Sequence, residues 1–143
     1  MRFLVDTNVI SEISKGQRCD RNVWAWYRSV EFGSLCLSAL VIGELRAGIE
    51  RLRRRDSAQA RRLDRALILT ADMFADRILG LDRRVCEVWG RLNTERRMPT
   101  VDGLIAATAL SHGLIVVTRN ARDFAATGAR VRNPLNRRPE RPR

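Results

Sequence analysis

The chain has 143 residues and a formal net charge of +11, from 27 Lys and Arg against 16 Asp and Glu. That length fits one domain with a real core; a single histidine excludes a His-rich zinc site, and no apolar run reaches the roughly 20 residues needed to span a bilayer. Three cysteines without a C-x-x-C pair, and an opening apolar run that stops at Asp6 instead of forming a secretory leader, set the expectation of a cytoplasmic protein in reducing surroundings.

Residues 2–6, RFLVD, read as a short buried strand, after which Thr7 and Asn8 turn into a helix over about 9–15. Val23, Trp26, Tyr27 and Val30 recur at helical spacing and predict a helix over 21–31 that Gly33 ends. Residues 34–38 predict a second strand, followed by helices over 39–54 and 58–70. Residues 76–81 could form a short strand. Asp82 can cap a helix reaching Arg97, with Val85, Val88, Trp89 and Leu92 on its buried side. Pro99 breaks the chain, Thr100 can cap the next helix, and Gly113 stops it after His112. Residues 114–118, LIVVT, give the clearest strand signal, and a last short strand is expected near 129–132. Strands alternating with helices argue for an α/β fold with a mainly parallel sheet. The expected division is one domain over 1–133 and a basic, disordered tail over 134–143.

The positive charge is concentrated. Residues 1–50 are neutral overall, whereas residues 51–65 carry seven arginines against Asp56 and Asp64, and residues 130–143 carry six against Glu140. Such strips are either solvated faces or phosphate-binding surfaces. Helical spacing puts Arg51, Arg54 and Arg55 on one side, opposite Leu45, Gly48, Ile49 and Leu52, and makes those three the candidate contacts for a polyanionic substrate.

Four acids stand where the strands give way to helices: Asp6, Glu44, Asp102 and Asp123. In parallel sheets, ligands bind beyond the carboxyl ends of the strands. Each acid has an ordinary alternative. Asp6 could cap the next helix, Asp123 could cap a turn beside Asn120, Asp102 could answer a helix dipole, and Glu44 could pair with Arg46 or another arginine on the solvent side. Together they suggest a carboxylate cluster, which repels itself unless a cation sits in it. Oxygen donors without imidazole favour Mg²⁺ or Mn²⁺.

The segments VDTNVIS, SALVIGELRAGI, TVDGLIAATAL and VTRNARDF, in that order from about residue 2 to residue 133, resemble the PIN-domain family, and within it the VapC-type toxins of VapBC toxin–antitoxin modules. The resemblance implies a PIN-like three-layer sandwich with helices flanking the sheet. It implies a Mg²⁺- or Mn²⁺-dependent endoribonuclease, a cognate small antitoxin and a homodimer. Asp6, Glu44, Asp102 and Asp123 match the family's acids, and Thr7, Asn8, Thr118 and Asn120 match polar positions that orient ligands or water. Some members carry an acid where this chain has Asn120, which leaves one or two metals open. The chemistry so implied is attack of an activated water on phosphorus, leaving a 5′-phosphate and a 3′-hydroxyl. Two other readings stay open: a catalytically silent RNA- or partner-binding module, and a housekeeping PIN nuclease without an antitoxin. A receiver domain, a haloacid-dehalogenase-like phosphatase and a P-loop enzyme each need a lysine elsewhere than Lys15, the only one present.

Overall fold

The computed structural model describes residues 2–95 and 97–136. Strand β1 (Phe3–Val5) is buried at every position, as its unbroken apolar run requires of a strand covered on both faces. Helix α1 (Thr7–Ile13) starts at once, two residues earlier than its periodicity suggested, because Asp6 caps it. Helix α2 (Arg21–Ser29) follows, capped by Asp20. Its end comes before Gly33, which lies instead in a 3₁₀ turn over Phe32–Ser34. Val23 and Trp26 are buried, and Trp24, off the apolar stripe, packs beside Tyr27.

Strand β2 (Leu35–Ser38) runs straight into α3 (Ala39–Arg53), with the Ser38 hydroxyl as cap. Helix α4 (Ser57–Met73) lies against α3, and Ile49, Ala60 and Leu67 form a small core between them. The expected 76–81 strand shrinks to β3 (Ile78–Leu79). Helix α5 (Arg83–Glu95) follows Asp82, whose Oδ1 accepts from the Val85 N–H at 2.9 Å; Arg96 lies outside the described residues, and Arg97 is not helical. Helix α6 (Thr100–His112) has Pro99 in its cap position and no side-chain cap, so Thr100 is its first residue and not its cap. Gly113 stops it at φ 63°, a left-handed turn suited to glycine. Strand β4 (Ile115–Val117), a short unpredicted helix α7 (Ala121–Ala125) and β5 (Val131–Arg132) complete the order.

The sheet order is β3-β2-β1-β4-β5, and every pairing is parallel. Phe3 stands opposite Leu35 on one side and Ile115 on the other. With helices on both faces, this is the three-layer α/β sandwich, built around Leu4, Val5, Leu35, Leu37, Val116 and Val117. All strands point one way, so Asp6, Ser38 and Thr118, which follow or end β1, β2 and β4, share one edge. At the other end of the sequence, Pro134 is buried, and the Leu135 carbonyl accepts from Asn22 Nδ2 at 2.9 Å. The rest of the expected tail, residues 137–143, lies outside the described residues. Among the described residues no helix is long and apolar enough to cross a membrane.

Candidate functional site

Asp6 is the deepest of the four acids, 4% exposed. Its N–H still belongs to the sheet, donating to the Val117 carbonyl at 2.9 Å. Its carboxylate accepts from the Thr7 N–H at 2.8 Å, the Thr118 hydroxyl at 2.8 Å and Asn8 Nδ2 at 3.4 Å. Burial pushes its carboxyl above the usual range; the Thr118 hydroxyl and the Thr7 N–H oppose this, and nearby Glu44 adds to it. Asp6 is thus a helix cap and a member of the cluster at once.

Glu44 is half-buried on α3, and its Oε1 accepts from the Thr7 hydroxyl at 2.7 Å. It does not pair with Arg46, which turns to Asp64 at 2.6 Å and Glu50 at 3.2 Å. Asp102 stands in the first turn of α6, half-buried. Burial raises its carboxyl first, followed by Asp6, Glu44 and Asp123 in that order. The next residue, Gly103, leaves room for Trp89. A Cβ there would lie 3.2 Å from the indole Cδ1 and Nε1, so the glycine sets how closely α6 approaches α5. Asp123 is exposed in the first turn of α7. The loop before it is held by the Asn120 N–H, which donates to the Thr118 hydroxyl at 3.0 Å, and by the Arg119 N–H, which donates to Asn8 Oδ1 at 3.3 Å.

The structure therefore brings Asp6, Glu44, Asp102 and Asp123 into one electrostatic neighbourhood, with Thr7, Asn8, Thr118 and Asn120 bonded around them. No cation is among the groups that shift Asp6 or Asp102, in a chain of net charge +11. Among the described residues, no three of His, Cys, Asp and Glu stand close enough to form a closed metal-binding group. The donor set nonetheless fits a hard divalent ion. Mg²⁺ keeps several waters and takes one or two carboxylates directly, so a complete protein cage is not required. Carboxylates that burial and mutual repulsion hold above their usual range would be relieved by such an ion.

Beside Glu44 a groove of about 780 Å³ opens between α1, α3 and α4, with Ile10, Leu45, Leu63 and Leu67 among its lining residues. Arg51 near the end of α3, and Arg54 and Arg55 just past it, are exposed and make no ion pair among the described residues. Arg53 differs: it is held by Glu50 at 3.0 Å and by Asp64 at 2.8 Å, so its charge serves the α3–α4 junction. Sequence reasoning passed over Glu12 and Arg119, whose side chains meet at 3.2 Å behind the cluster. The only local signal was an acid inside the apolar run of α1.

A parallel α/β sandwich with acids gathered beyond its strand ends belongs to the class of domains that present hard oxygen donors to a ligand. The PIN-domain profile matches residues 3–129, and the chain belongs to the PIN-domain family. It is 35% identical over 139 residues to the toxin FitB of Neisseria gonorrhoeae, covering 92% of this chain and 97% of that protein. The crystal structure of FitAcB from that organism superposes with a TM-score of 0.83 at 34% identity, covering 92% of this chain and 97% of the other. The VapC ribonuclease Y4jK of Sinorhizobium fredii is 35% identical over 136 residues, covering 92% of this chain and 96% of that protein. A toxin–antitoxin complex from Klebsiella pneumoniae matches with a TM-score of 0.68 at 25% identity, covering 92% of this chain and 97% of its counterpart.

Proposed function

We propose that the chain is a metal-dependent endoribonuclease, the toxin of a type II toxin–antitoxin pair, held inactive by a cognate antitoxin. The observation that carries the reading is the uncompensated cluster of Asp6, Glu44, Asp102 and Asp123 beyond the strand ends, in an otherwise basic chain. The relatives named toxin and VapC ribonuclease support the substrate class and the role. When bound, Mg²⁺ or Mn²⁺ supplies a Lewis acid at the phosphate and lowers the pKa of a water. Asp6, Glu44, Asp102 and Asp123 would hold that ion, one or two of them directly and the others through its waters. Thr118 and Asn8 fix the orientation of the Asp6 carboxylate, and Thr7 does the same for Glu44. His112, at the far end of α6 from Asp102, is outside this arrangement. The products are then a 5′-phosphate and a 3′-hydroxyl.

Arg51, Arg54 and Arg55 guide the RNA backbone. The groove beside Glu44, apolar at Leu45, Leu63 and Leu67, seats an apolar segment of the antitoxin next to the acids it silences. The toxin–antitoxin complex among the solved relatives supports that partner. Exposed Ile68, Leu69 and Met73 on α4 offer a face for a second copy in a homodimer. The nuclease unit runs to about residue 136, because Pro134 is buried and Leu135 packs on the main core, with a basic tail after it, and the protein works in the cytoplasm.

The test is cleavage of a mixed RNA pool by purified protein with Mg²⁺ or Mn²⁺ and with excess EDTA. Cleavage in the metal and none in the chelator is expected. Cleavage that survives chelation unchanged overturns the reading.

A further inference from the structure

Glu12 is an acid that the proposed chemistry does not use, yet its side chain is 9% exposed. Three partners converge on it. Oε2 accepts from Lys15 Nζ at 2.6 Å and pairs with the Arg119 guanidinium at 3.2 Å. Oε1 accepts from the Asp20 N–H at 2.8 Å, at the cap of α2. Its carboxyl lies below the usual range, chiefly because of the Lys15 bond, with the Asp20 N–H next.

Arg119 has neighbours that matter. Thr118 donates to Asp6, and Asn120 is the cap residue of the helix that carries Asp123. Between them, the Arg119 backbone is held by Asn8 and its guanidinium by Glu12. A loop fixed at both its backbone and its side chain has few ways to move. Exposed ion pairs contribute little, but this carboxylate is enclosed, and removing its charge leaves Lys15 and Arg119 without their acid.

We propose that Glu12 is a positioning residue, which sets the β4–α7 loop through Arg119 and so places Thr118 and Asp123 at the carboxylate cluster. The proposal rests on the metal-site reading for its consequence, but not for its geometry. Thr118 and Asp123 come from one side of β4, whereas Asp6 and Glu44 come from β1 and α3. The Glu12–Arg119 pair ties the first group to α1, the helix that Asp6 caps.

The experiment compares Glu12→Gln, Arg119→Gln, the double variant and Lys15→Gln with the parent. Gln at position 12 keeps an acceptor for the Asp20 N–H and removes the charge. The first readout is backbone hydrogen exchange of residues 118–123 in chelator. Faster exchange confined to that loop is expected in Glu12→Gln and Arg119→Gln, with Lys15→Gln like the parent. The second readout is Mn²⁺ affinity by titration, expected to fall about tenfold in either single variant, as is common when a supporting partner is lost. The double variant should cost no more than either single one, because both break the same link. If Glu12→Gln fails to fold, Arg119→Gln decides, since it leaves the bonds of Glu12 to Lys15 and Asp20 in place. Unchanged loop exchange, or losses that add in the double variant, overturns the proposal. A parent that binds no Mn²⁺, with loop exchange altered as expected, leaves Glu12 as the positioner of the loop and overturns the metal reading instead.

Discussion

Replacing Thr118 by Val removes one oxygen and keeps the side chain's shape. Thr118 is fully buried, and its hydroxyl donates to Asp6 Oδ2 at 2.8 Å while accepting from the Asn120 N–H at 3.0 Å. Asn120 is exposed, so water can take over the second bond at little cost. The first cannot be replaced from solvent. A hydrogen bond to a charged group contributes about 1.5–3 kcal/mol. At roughly 4 °C per kcal/mol for a chain of this length, the melting temperature should fall by about 6–12 °C near pH 8.

The loss should also depend on pH, with a definite sign. The Asp6 carboxyl is already raised, so between its unfolded and folded titrations the folded state holds the extra proton, and stability falls as pH rises. Without its best donor the carboxyl rises further and that window widens. Below it, Asp6 is protonated in both proteins and the hydroxyl matters less. Thermal melts and urea denaturation in chelator at pH 8 and near pH 3, below the ordinary carboxyl value of 3.8, measure both effects. The other titrating acids are common to parent and variant and cancel in the difference. A loss that is the same at both pH values would show that Thr118 acts by packing alone, and the hydrogen-bond argument would fail.

Two further outcomes are expected. Asp102→Asn should reduce cleavage by about 10²-fold or more, yet it breaks no hydrogen bond or ion pair seen among the described residues. Because burial, and after it Asp6, Glu44 and Asp123, push the Asp102 carboxyl upward, the metal-free variant should be more stable than the parent at pH 8, and the advantage should fade toward acid; thermal melts across pH test this, and near-normal turnover would make Asp102 a mere first-turn acid. Replacing Arg51, Arg54 and Arg55 by Gln should weaken RNA binding and reduce the steepness of the log–log salt dependence by up to about 2, measured with cleavage-dead protein; an unchanged slope would assign these arginines to solvent or to a protein partner.

What could be seen in the sequence was what local chemistry dictates. β1 and β4 are apolar runs with no competing periodicity, and the acid or threonine ending each marks the sheet edge. Glu44 and Asp102 were placed by counting from a strand and from Pro99. Helix α7 was not legible because five residues are too few for a period. Phe124, buried in the main core, and the Asn120 cap position hold it there. Thr100 looked like a cap because its residue type favours one, but the backbone enters α6 through Pro99 at ψ 138°. The fate of the arginines was half legible. Glu50 lies three residues from Arg53, but Asp64, which draws off both Arg46 and Arg53, stands on the next helix. Glu12 could not have been found without the fold, since Arg119 reaches it from the opposite end of the chain.

The strand order has a consequence for synthesis. Of the five strands, β1 is made first and takes the middle of the sheet, and its second neighbour, β4, is made fourth. Until Ile115–Val117 docks, β1 has an open edge, Asp6 lacks Thr118, and Asp123 has no place. Domains complete as units, and a nascent chain cannot hold an interaction whose partner is still unmade. A chain that ends before β4 lacks both Thr118 and Asp123, so the sheet edge is complete only after β4 and α7 have been made.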